Sequence, residues 1–440
     1  MQLVAYGAQD IYLTGNPQIT FFKVVYRRHT NFAIESIKQT LNGTIGTAES
    51  RVSSVISRNG DLLYRLYLSV LMPEITIEYS GAAKVTDWIN WTNNTGCAYI
   101  KEASILIGGQ EVDKHTDLWM DIQNELYDHH NEDHILLNKH SAKQSYLEDG
   151  GSKHEASGKH PGTGNATTTL KYRMNIPLQF WFCRNPGLAL PLVALQYHDV
   201  KLKFTFRALA ALVNTNITTT SESYVAPTTQ LWADYIYLDT DERRRFAQVA
   251  HEYLIEQVQI VNKTMNKSIK LNLNHPVKEL IWVVRDNDVF AENTSVGAID
   301  TTANVQGTLA TNNDYFNYMA NAATYKEFTN GTVSYEPFEK AKLVVNGTDR
   351  FAQRYASYFR TVQPRQSGHK MPEKHIYSYS FALRPEEHQP SGTCNFSRID
   401  NAYLKFSNVA DSSTSTISVF ALNYNVLRIM SGMGGLAYSN

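Results

Sequence analysis

The chain has 440 residues, more than one ordinary hydrophobic core uses, and this length suits two domains of roughly 200 residues each. Its 41 basic and 42 acidic residues leave a formal net charge of -1, so no overall field attracts nucleic acid or an anionic membrane. The cysteines Cys97, Cys183 and Cys394 are far apart and form no Cys-x-x-Cys pair, which argues against a disulfide framework and against a thiolate zinc site.

Apolar residues are distributed in short runs. No run approaches the roughly 18 consecutive apolar residues of a membrane-spanning helix, and the start of the chain lacks the pattern of a secretory signal peptide. We therefore expect a soluble protein made in the cytosol. The 18 Phe and 26 Tyr, together with many Thr and Val, favour strands over helices.

Four elements are predicted for the first half of the chain, starting with a long apolar strand at residues 62–72. Residues 105–126 have the pattern of a strand, a Gly-Gly turn and a helix with one apolar face formed by Leu118, Ile122 and Leu126. Residues 200–206 alternate strictly between polar side chains and the apolar Val200, Leu202, Phe204 and Phe206. An aromatic strand is predicted at residues 230–239. The alternation at 200–206 indicates a sheet with one buried and one exposed face.

The second half repeats these four blocks in the same order. An apolar strand is predicted at residues 277–285, and a strand, an Asn-Gly turn and a helix at 342–359. An alternating strand at 402–406 and an aromatic strand at 418–430 follow. The second helix is predicted to carry Phe351, Tyr355, Tyr358 and Phe359. Many short strands without strand-helix alternation favour two β-sandwiches in tandem, and long returns between strands suggest jelly rolls.

Long polar connections distinguish the two copies. The first copy has its longest connection at residues 129–169, and the second lengthens an earlier connection at 286–314. Duplicated cores with divergent loops are typical of a scaffold that presents surface features. The charged segment 239–257 between the copies has two interpretations, a helical hinge or a capped edge of the second sheet.

No residue pattern supports catalysis or cofactor binding. Gly432, Gly434 and Ala437 have the spacing of a dinucleotide-binding turn, but the chain leaves no room for the required helix and second strand, so we expect a flexible tail that docks on a neighbour. The histidines of residues 129–134 lack the metalloprotease spacing and are expected in a solvated loop. The chain also lacks a Gly-x-Ser-x-Gly elbow. We predict no catalytic residue, no metal site and no cofactor.

Eleven Asn-x-Ser/Thr sequons occur, and a chain rich in Asn and Thr produces such sequons by chance. Asn346 in the predicted turn and Asn395 near a strand are expected to be structural. Without a secretory route, glycosylation would need other machinery. The candidate glycosylation sites lie in predicted loops: Asn93, Asn165, Asn216, Asn293 and Asn330.

Four segments resemble the major capsid proteins of nucleocytoplasmic large DNA viruses, especially the phycodnavirus and mimivirus-like group. They are "LVAYGAQDIYLTGNPQITFFKVVYRRHTNF", "NPGLALPLVALQYHDVKL", "SGTCNFSRIDNA" and "NYNVLRIMSGMGGLAY". With the "LIGGQEVDKH" turn and the "DYIYLDTDERRRFAQ" segment, the resemblance runs nearly end to end. The chain departs from the family in its loops, at residues 74–99, 129–169, 207–229 and 286–335.

The resemblance implies an all-β double jelly roll of two eight-stranded sandwiches. Residues 1–27 would be an N-terminal arm, residues 28–240 the first jelly roll and residues 241–440 the second. It also implies a structural shell subunit without catalysis, found in the virion capsid and synthesised and assembled in the host cytoplasm. Three copies would form a pseudo-hexagonal homotrimer, a capsomer that tiles an icosahedral shell beside neighbouring capsomers.

Further partners follow from the resemblance. Residues 1–25 are expected outside both sandwiches, without a helix, facing minor capsid proteins beneath the shell. An internal membrane would lie nearby without being spanned, and no direct contact with nucleic acid is expected.

The long loops lack a core of their own, and we expect them to intertwine on the outer face of the trimer. The two helices carry more aromatic residues than one sandwich needs. We expect this surplus to form the subunit interface, with Trp119, Tyr355 and Phe359.

The alternative interpretation is a soluble β-sandwich carbohydrate-binding module or hydrolase. A hydrolase would need a concave site and two carboxylates about 5 to 9.5 Å apart. No such pair is evident in the sequence.

Overall fold

A computed structural model describes residues 7–22, 24, 26–78, 89–92, 94–127, 166–168, 172–215, 221–286, 315–316, 318, 326–327, 333–334, 336–409 and 415–438. Strands dominate, and the helices are short. The α-helices are α1 Ile11–Thr14, α2 Thr95–Tyr99, α3 Asp117–Tyr127, α4 Trp181–Arg184, α5 Thr240–Gln248 and α6 Gln363–Ser367. A π-helical turn at Tyr358–Val362 leads into α6, and 3₁₀ turns occur at Pro186–Leu188, Leu209–Leu212 and Phe396–Arg398.

The first half forms a sandwich of two antiparallel sheets. Its strands are β1 Phe32–Gln39, β2 Ser50–Val55, β3 Leu62–Met72, β4 Ile75–Glu78, β5 Ile89–Trp91, β6 Ile100–Ile107, β7 Gln110–Thr116, β8 Ala166–Thr168, β9 Tyr172–Leu178, β10 Leu190–Pro191, β11 Val200–Phe206, β12 Val213–Thr215, β13 Ser221–Tyr224 and β14 Thr228–Leu238. One sheet has the order β1-β14-β3, with β9 and β10 sharing the far edge of β3, and the other has the order β2-β11-β6-β7. Two small sheets, β12-β5 and β13-β4-β8, accompany them.

The second half repeats this arrangement. Its strands are β15 His251–Thr264, β16 Ser268–Leu271, β17 Pro276–Asp286, β18 Lys326–Glu327, β19 Val333–Ser334, β20 Lys340–Val345, β21 Thr348–Asp349, β22 Arg354–Tyr355, β23 Tyr377–Ser380, β24 Cys394–Asn395, β25 Ala402–Ser407, β26 Ser415–Met430 and β27 Met433–Leu436. The sheet orders are β15-β26-β17, with β23 and β24 along β17, and β16-β25-β20, with β21 and β22 along β20. The predicted double jelly roll is therefore confirmed, with eight strand positions in each sandwich.

Alternating side chains build the two cores. On β11 the apolar residues predicted to face inward are all buried: Val200, Leu202, Phe204 and Phe206. Ala402, Leu404 and Phe406 do the same on β25. The second core is a separate cluster around Trp282, whereas the cluster of the first core continues into residues of β15, β17 and β26. The two jelly rolls therefore share buried surface.

The two turn-helix units differ from their predicted form. The Gly108-Gly109 turn, with φ of 57° and 86°, leads first into β7 and only then into α3. The Asn346-Gly347 turn, with φ of 49° and 81°, is followed by the short strands β21 and β22. Phe351 and Tyr355 therefore precede the second helix and do not lie on it. A tight turn at positive φ closes a hairpin, and apolar periodicity alone did not reveal the returning strand.

The connection between the jelly rolls is helical and then extended. Asp239 caps α5 by accepting a hydrogen bond from the backbone N–H of Glu242 at 2.9 Å, and two acidic residues in the first turn favour this helix end. Arg243 of α5 reaches back to Asp61 at 2.8 Å. After α5, the charged segment continues as the edge strand β15. The helical interpretation therefore applies to its first part, and the interpretation as an edge of the second sheet applies to its last part.

The N-terminal arm lies outside both sandwiches. Its described residues are almost entirely exposed, with Phe21 and Phe22 at 93% and 97%. The expectation of no helix is wrong for one turn, α1, which spans four residues.

Candidate assembly interface

The seam is the surface where β7, α3 and α4 of the first jelly roll meet β15, β17 and β26 of the second. At its apolar centre, Trp119 of α3 packs on Phe420 of β26 with 5.6 Å between ring centroids, and both are fully buried. Ile281 and Leu422 are buried beside them. Because the seam covers the outer face of the β15-β26-β17 sheet, β17 and β26 carry buried apolar residues on both faces.

A buried ionic cluster around His369 links the two jelly rolls at the seam. Its Nε2 lies 2.8 Å from Glu279 Oε2, and its Nδ1 lies 2.6 Å from Glu386 Oε1. Tyr127, at the end of α3, donates its hydroxyl to Glu279. Burial opposes protonation of the imidazole, but attraction and hydrogen bonding to the two carboxylates raise the pKa of His369 to about 9. Glu279 is buried, yet His369 lowers the pKa of its carboxyl group, so the pair is charged at neutral pH.

A second ionic cluster crosses the seam at Glu256 of β15. Its carboxylate lies 2.7 Å from Arg184 of α4 and 2.8 Å from Lys278 of β17. Burial lowers the pKa of Lys278, although Glu256 counteracts this effect. A cavity of about 150 Å³ lies beside the cluster, and its lining includes Glu256 and Glu386. Both carboxylates are held in ion pairs, Glu256 with Arg184 and Glu386 with His369.

An aromatic segment of the 286–335 connection packs against the first jelly roll. Tyr315, Phe316 and Tyr318 are buried. Tyr318 donates its hydroxyl to Asp121 Oδ2 at 2.7 Å, and Tyr315 donates to the backbone carbonyl of Ala211 at 2.6 Å. This described segment has no separate core and packs into the core of the first jelly roll of its own chain. The aromatic spacing of "YFNY" was the sequence signal for it.

The helix aromatics do not form one common outer surface. Trp119 lies in the seam, and Phe359 lies in the second core with its ring centroid 5.2 Å from that of Trp282. Tyr355 is 49% exposed. The expectation that all three residues face a second copy is therefore wrong for Trp119 and Phe359, whose contacts are within the chain.

The C-terminal tail is an ordered hairpin, not the flexible tail expected. Strand β27 pairs with β26, and the Gly432 carbonyl accepts a hydrogen bond from the Tyr197 N–H at 2.9 Å. His198 Nδ1 lies 2.8 Å from the Gly434 carbonyl oxygen. A Cβ atom on Gly434 would lie 2.6 Å from Leu195, so glycine permits this close approach. The tail docks on the first jelly roll of its own chain.

The strand registers place the chain termini and the long connections at opposite ends of the molecule. The start of β1 lies opposite the end of β14, and the start of β15 lies opposite the end of β26. The arm, α5 and the tail therefore share one end, the arm end. The ends of β3 and β17, from which long connections leave, pair with the starts of β14 and β26 at the other end, the loop end.

The candidate glycosylation sites all lie outside the described residues: Asn93, Asn165, Asn216, Asn293 and Asn330. So do the histidines of residues 129–134. Asn395 accepts a hydrogen bond from Ser397 N–H at 3.0 Å, and Asn346 adopts its left-handed turn conformation, so both have structural roles. Within the described ranges, no group of His, Cys, Asp and Glu is arranged to hold a metal, and no helix is long and apolar enough to cross a membrane. The three cysteines, all within these ranges, form no disulfide bond.

Comparison with known proteins places the chain in a family. A model of the major capsid protein N-terminus matches residues 20–239, and a model of the large eukaryotic DNA virus major capsid protein matches residues 242–435. The chain belongs to this major capsid protein family. Relatives in the family include the major capsid proteins of Pyramimonas orientalis virus, 45% identical, and Paramecium bursaria Chlorella virus 1, 40% identical. Both alignments cover 100% of this chain and 99% of the relative.

Solved structures of the capsid protein family agree with this assignment. A chain of the PBCV-1 virus capsid quasi-atomic model matches with a TM-score of 0.68 at 36% identity, covering 96% of this chain and 100% of that chain. The Faustovirus major capsid protein has the same fold, with a TM-score of 0.69 at 13% identity over 97% of this chain and 94% of its own. The chain is thus a structural capsid protein of a large DNA virus and not an enzyme, as the resemblance implied.

Proposed function

We propose that three copies of the chain close into a pseudo-hexagonal homotrimer and that these capsomers tile an icosahedral shell. One observation carries the proposal. The seam buries the outer face of the β15-β26-β17 sheet, whereas the equivalent face of the β1-β14-β3 sheet remains partly exposed. Because the same face is buried in the second jelly roll and partly exposed in the first, a second copy of the chain fits as the partner that covers it.

The strand registers identify equivalent residues in the two sheets. Ala233 pairs with Leu66 in the first sheet, and Ala421 pairs with Leu280 in the second. The register between β14 and β3 shifts directly after Ala233, and the register between β26 and β17 shifts within two residues of Ala421. The irregularity in strand pairing therefore occurs at the same place in both sheets. All four residues face their own cores. The neighbouring residues on the outer faces therefore correspond in the same way.

On the outer faces, Trp232 corresponds to Phe420 and Tyr67 corresponds to Ile281. Phe420 and Ile281 are 0% and 1% exposed in the seam. Trp232 and Tyr67 stack with 6.3 Å between ring centroids and are only partly buried, and Ile34 on the adjacent β1 is 51% exposed. If the second jelly roll of one copy covers this face of the next, the geometry of the seam is repeated between chains.

Such a head-to-tail contact is heterologous, and it generates a closed ring when its rotation permits. Three chains with two jelly rolls each would give six similar positions, which fits the pseudo-hexagonal capsomer implied by the family resemblance. The solved relative in the PBCV-1 virus capsid supports a role in a shell of neighbouring capsomers. The near-neutral net charge also favours close packing of identical subunits.

The two ends of the molecule support an orientation in the shell. We propose that the loop end faces outward and that the arm end faces inward, where the exposed apolar arm would bind minor capsid proteins. The internal membrane would lie beneath this end without being spanned, and nucleic acid would not be contacted. Synthesis and assembly would occur in the host cytoplasm. The five candidate sequons would be the glycosylation sites.

We also propose the division into arm, first jelly roll and second jelly roll at residues 1–27, 28–240 and 241–440. The separate family models for residues 20–239 and 242–435 support the boundary between the jelly rolls. The start of β1 at Phe32 supports the end of the arm.

Sedimentation of the purified chain at micromolar concentration tests the trimer. The expected species has about three times the 49.8 kDa chain mass. Trp232→Arg should dissociate it without changing the far-ultraviolet circular dichroism. Tyr197→Arg, at a 76% exposed residue outside the proposed contact, is the matched control and should remain trimeric. A wild-type chain that sediments as a monomer would refute the proposal.

A further inference from the structure

We infer that Arg350 in the second jelly roll of one copy pairs with Glu35 in the first jelly roll of the next copy, and that Tyr358 packs on Trp232 across the same contact. This inference rests on the proposed trimer and adds the residues that recognise the second copy. It follows from transferring the contacts of the seam to the equivalent positions between chains.

The seam supplies a polar template on β7 and β15. Asp113 of β7 accepts a hydrogen bond from the Val258 N–H of β15 at 3.2 Å. Gln257 donates its side-chain amide to the Val112 carbonyl. Edge strand β15 is therefore held by the end of the hairpin that begins at the Gly-Gly turn. In the contact between copies, the hairpin of the Asn-Gly turn would hold edge strand β1.

The hairpin registers identify the residue equivalent to Asp113. Asp113 pairs with Ile105 on β6. On β20, Leu343 is equivalent to Ile105. Leu343 pairs with Leu404 on β25, and Ile105 pairs with Leu202 at the matching position of β11. The Leu343 carbonyl accepts a hydrogen bond from the Arg350 N–H at 2.8 Å. Arg350 therefore occupies the place of Asp113.

The registers of the edge strands identify the other side. Gln257 pairs with Asn423, two residues after Ala421, and Glu35 pairs with Tyr235, two residues after Ala233. Glu35 therefore occupies the place of Gln257, next to Ser36 in the place of Val258. The residue that faces the hairpin is therefore the neutral Gln257 in the seam, and the acidic Glu35 on the exposed edge strand β1.

The aromatic part of the contact follows in the same way. Thr116 pairs with Glu102, and Tyr355 pairs with Lys340 at the matching position. Three residues further on lie Trp119 and Tyr358. Because Trp119 packs on Phe420 and Trp232 replaces Phe420, Tyr358 is placed to pack on Trp232 of the next copy.

The exposure and charge of these residues fit a contact between copies. Asp113 is only 5% exposed in the seam, whereas Arg350 and Glu35 are both exposed on the isolated chain. Arg350 takes the place of Asp113, and Glu35 takes the place of Gln257. The two exposed surfaces therefore carry opposite charges. Complementary charges across an interface fix its register and disfavour wrong partners. Two hairpins carrying Arg350 would repel each other, which selects the head-to-tail arrangement.

A charge-reversal cycle tests the inference. Glu35→Arg and Arg350→Glu should each weaken trimer formation by roughly tenfold or more, measured by sedimentation equilibrium at low salt, and the double variant should recover most of the loss. Circular dichroism checks that each variant is folded. Glu74→Arg, at an exposed residue near the loop end, is the matched control and should assemble like the wild type.

The outcomes separate the inference from the proposed function. Trimeric single variants with unchanged affinity would overturn the Arg350–Glu35 pair while leaving the trimer intact, and so would weakened single variants without recovery in the double variant. A monomeric wild-type chain would instead refute the proposed trimer.

Discussion

Replacement of His369 by glutamine tests the ionic cluster of the seam. The pKa of His369 rises from 6.5 to about 9 on folding, which corresponds to about 3 kcal/mol of stabilisation. The ion pair between His369 and Glu279 is one interaction, so its free energy is counted once and not separately for each residue. Because the folded-state pKa is the higher one, this stabilisation is fully present below pH 6.5 and is lost as the pH rises through about 9. Stability should therefore fall between these two pH values.

Urea unfolding at fixed protein concentration, measured from pH 6 to 9.5 for wild type and His369→Gln, isolates this contribution. At pH 6 the variant should be less stable by about 3 kcal/mol or more, since Glu279 loses its buried cation. Towards pH 9 the difference should shrink by about 3 kcal/mol. Parallel stability profiles for the two proteins would refute the assignment of a buried imidazolium at this position.

Three further predictions concern the seam, the tail and the arm. Trp119→Ala should lower the free energy of unfolding by about 3 to 5 kcal/mol, measured by urea unfolding, because it leaves a cavity against Phe420. Gly434→Val should displace the tail hairpin and speed hydrogen exchange there, whereas Gly435→Val, where a Cβ meets only Gln110 at 3.7 Å, should not. Deletion of residues 1–25 should leave trimers by sedimentation but impair shell assembly in electron micrographs, and an unfolded variant would place the arm in a core.

Local sequence patterns predicted much of the fold because strand alternation and turn residues act over short distances. The period of two on residues 200–206 and 402–406 gave the correct buried face for each strand. The order of four blocks predicted the duplication. The returning strands β7, β21 and β22 were missed, since polar residues such as those of "QEVDKHT" show little apolar alternation.

The seam was not predicted, because it joins residues that are far apart in the chain. Nothing local indicates that His369 lies between Glu279 and Glu386, or that Trp119 packs on another jelly roll. One signal was present. Strand β17 reads as a nearly continuous apolar run, whereas a one-sided sheet strand alternates, and this indicates burial on both faces. The charged Lys278 and Glu279 within that run indicated buried ion pairs.

The short helical connection α5 has a consequence for how capsomers accumulate. It tethers the two jelly rolls, so the seam forms at an effective concentration on the order of millimolar and does not depend on the amount of protein. In the proposed ring, three of the six contacts are then complete when the chains fold, and each tether avoids the rigid-body entropy of one association, about 4 to 15 kcal/mol. Only the contact on β1, β14 and β3 obeys mass action. The concentration at which rings appear is therefore set by that one surface, and evolution can tune the onset of shell growth there without altering chain folding.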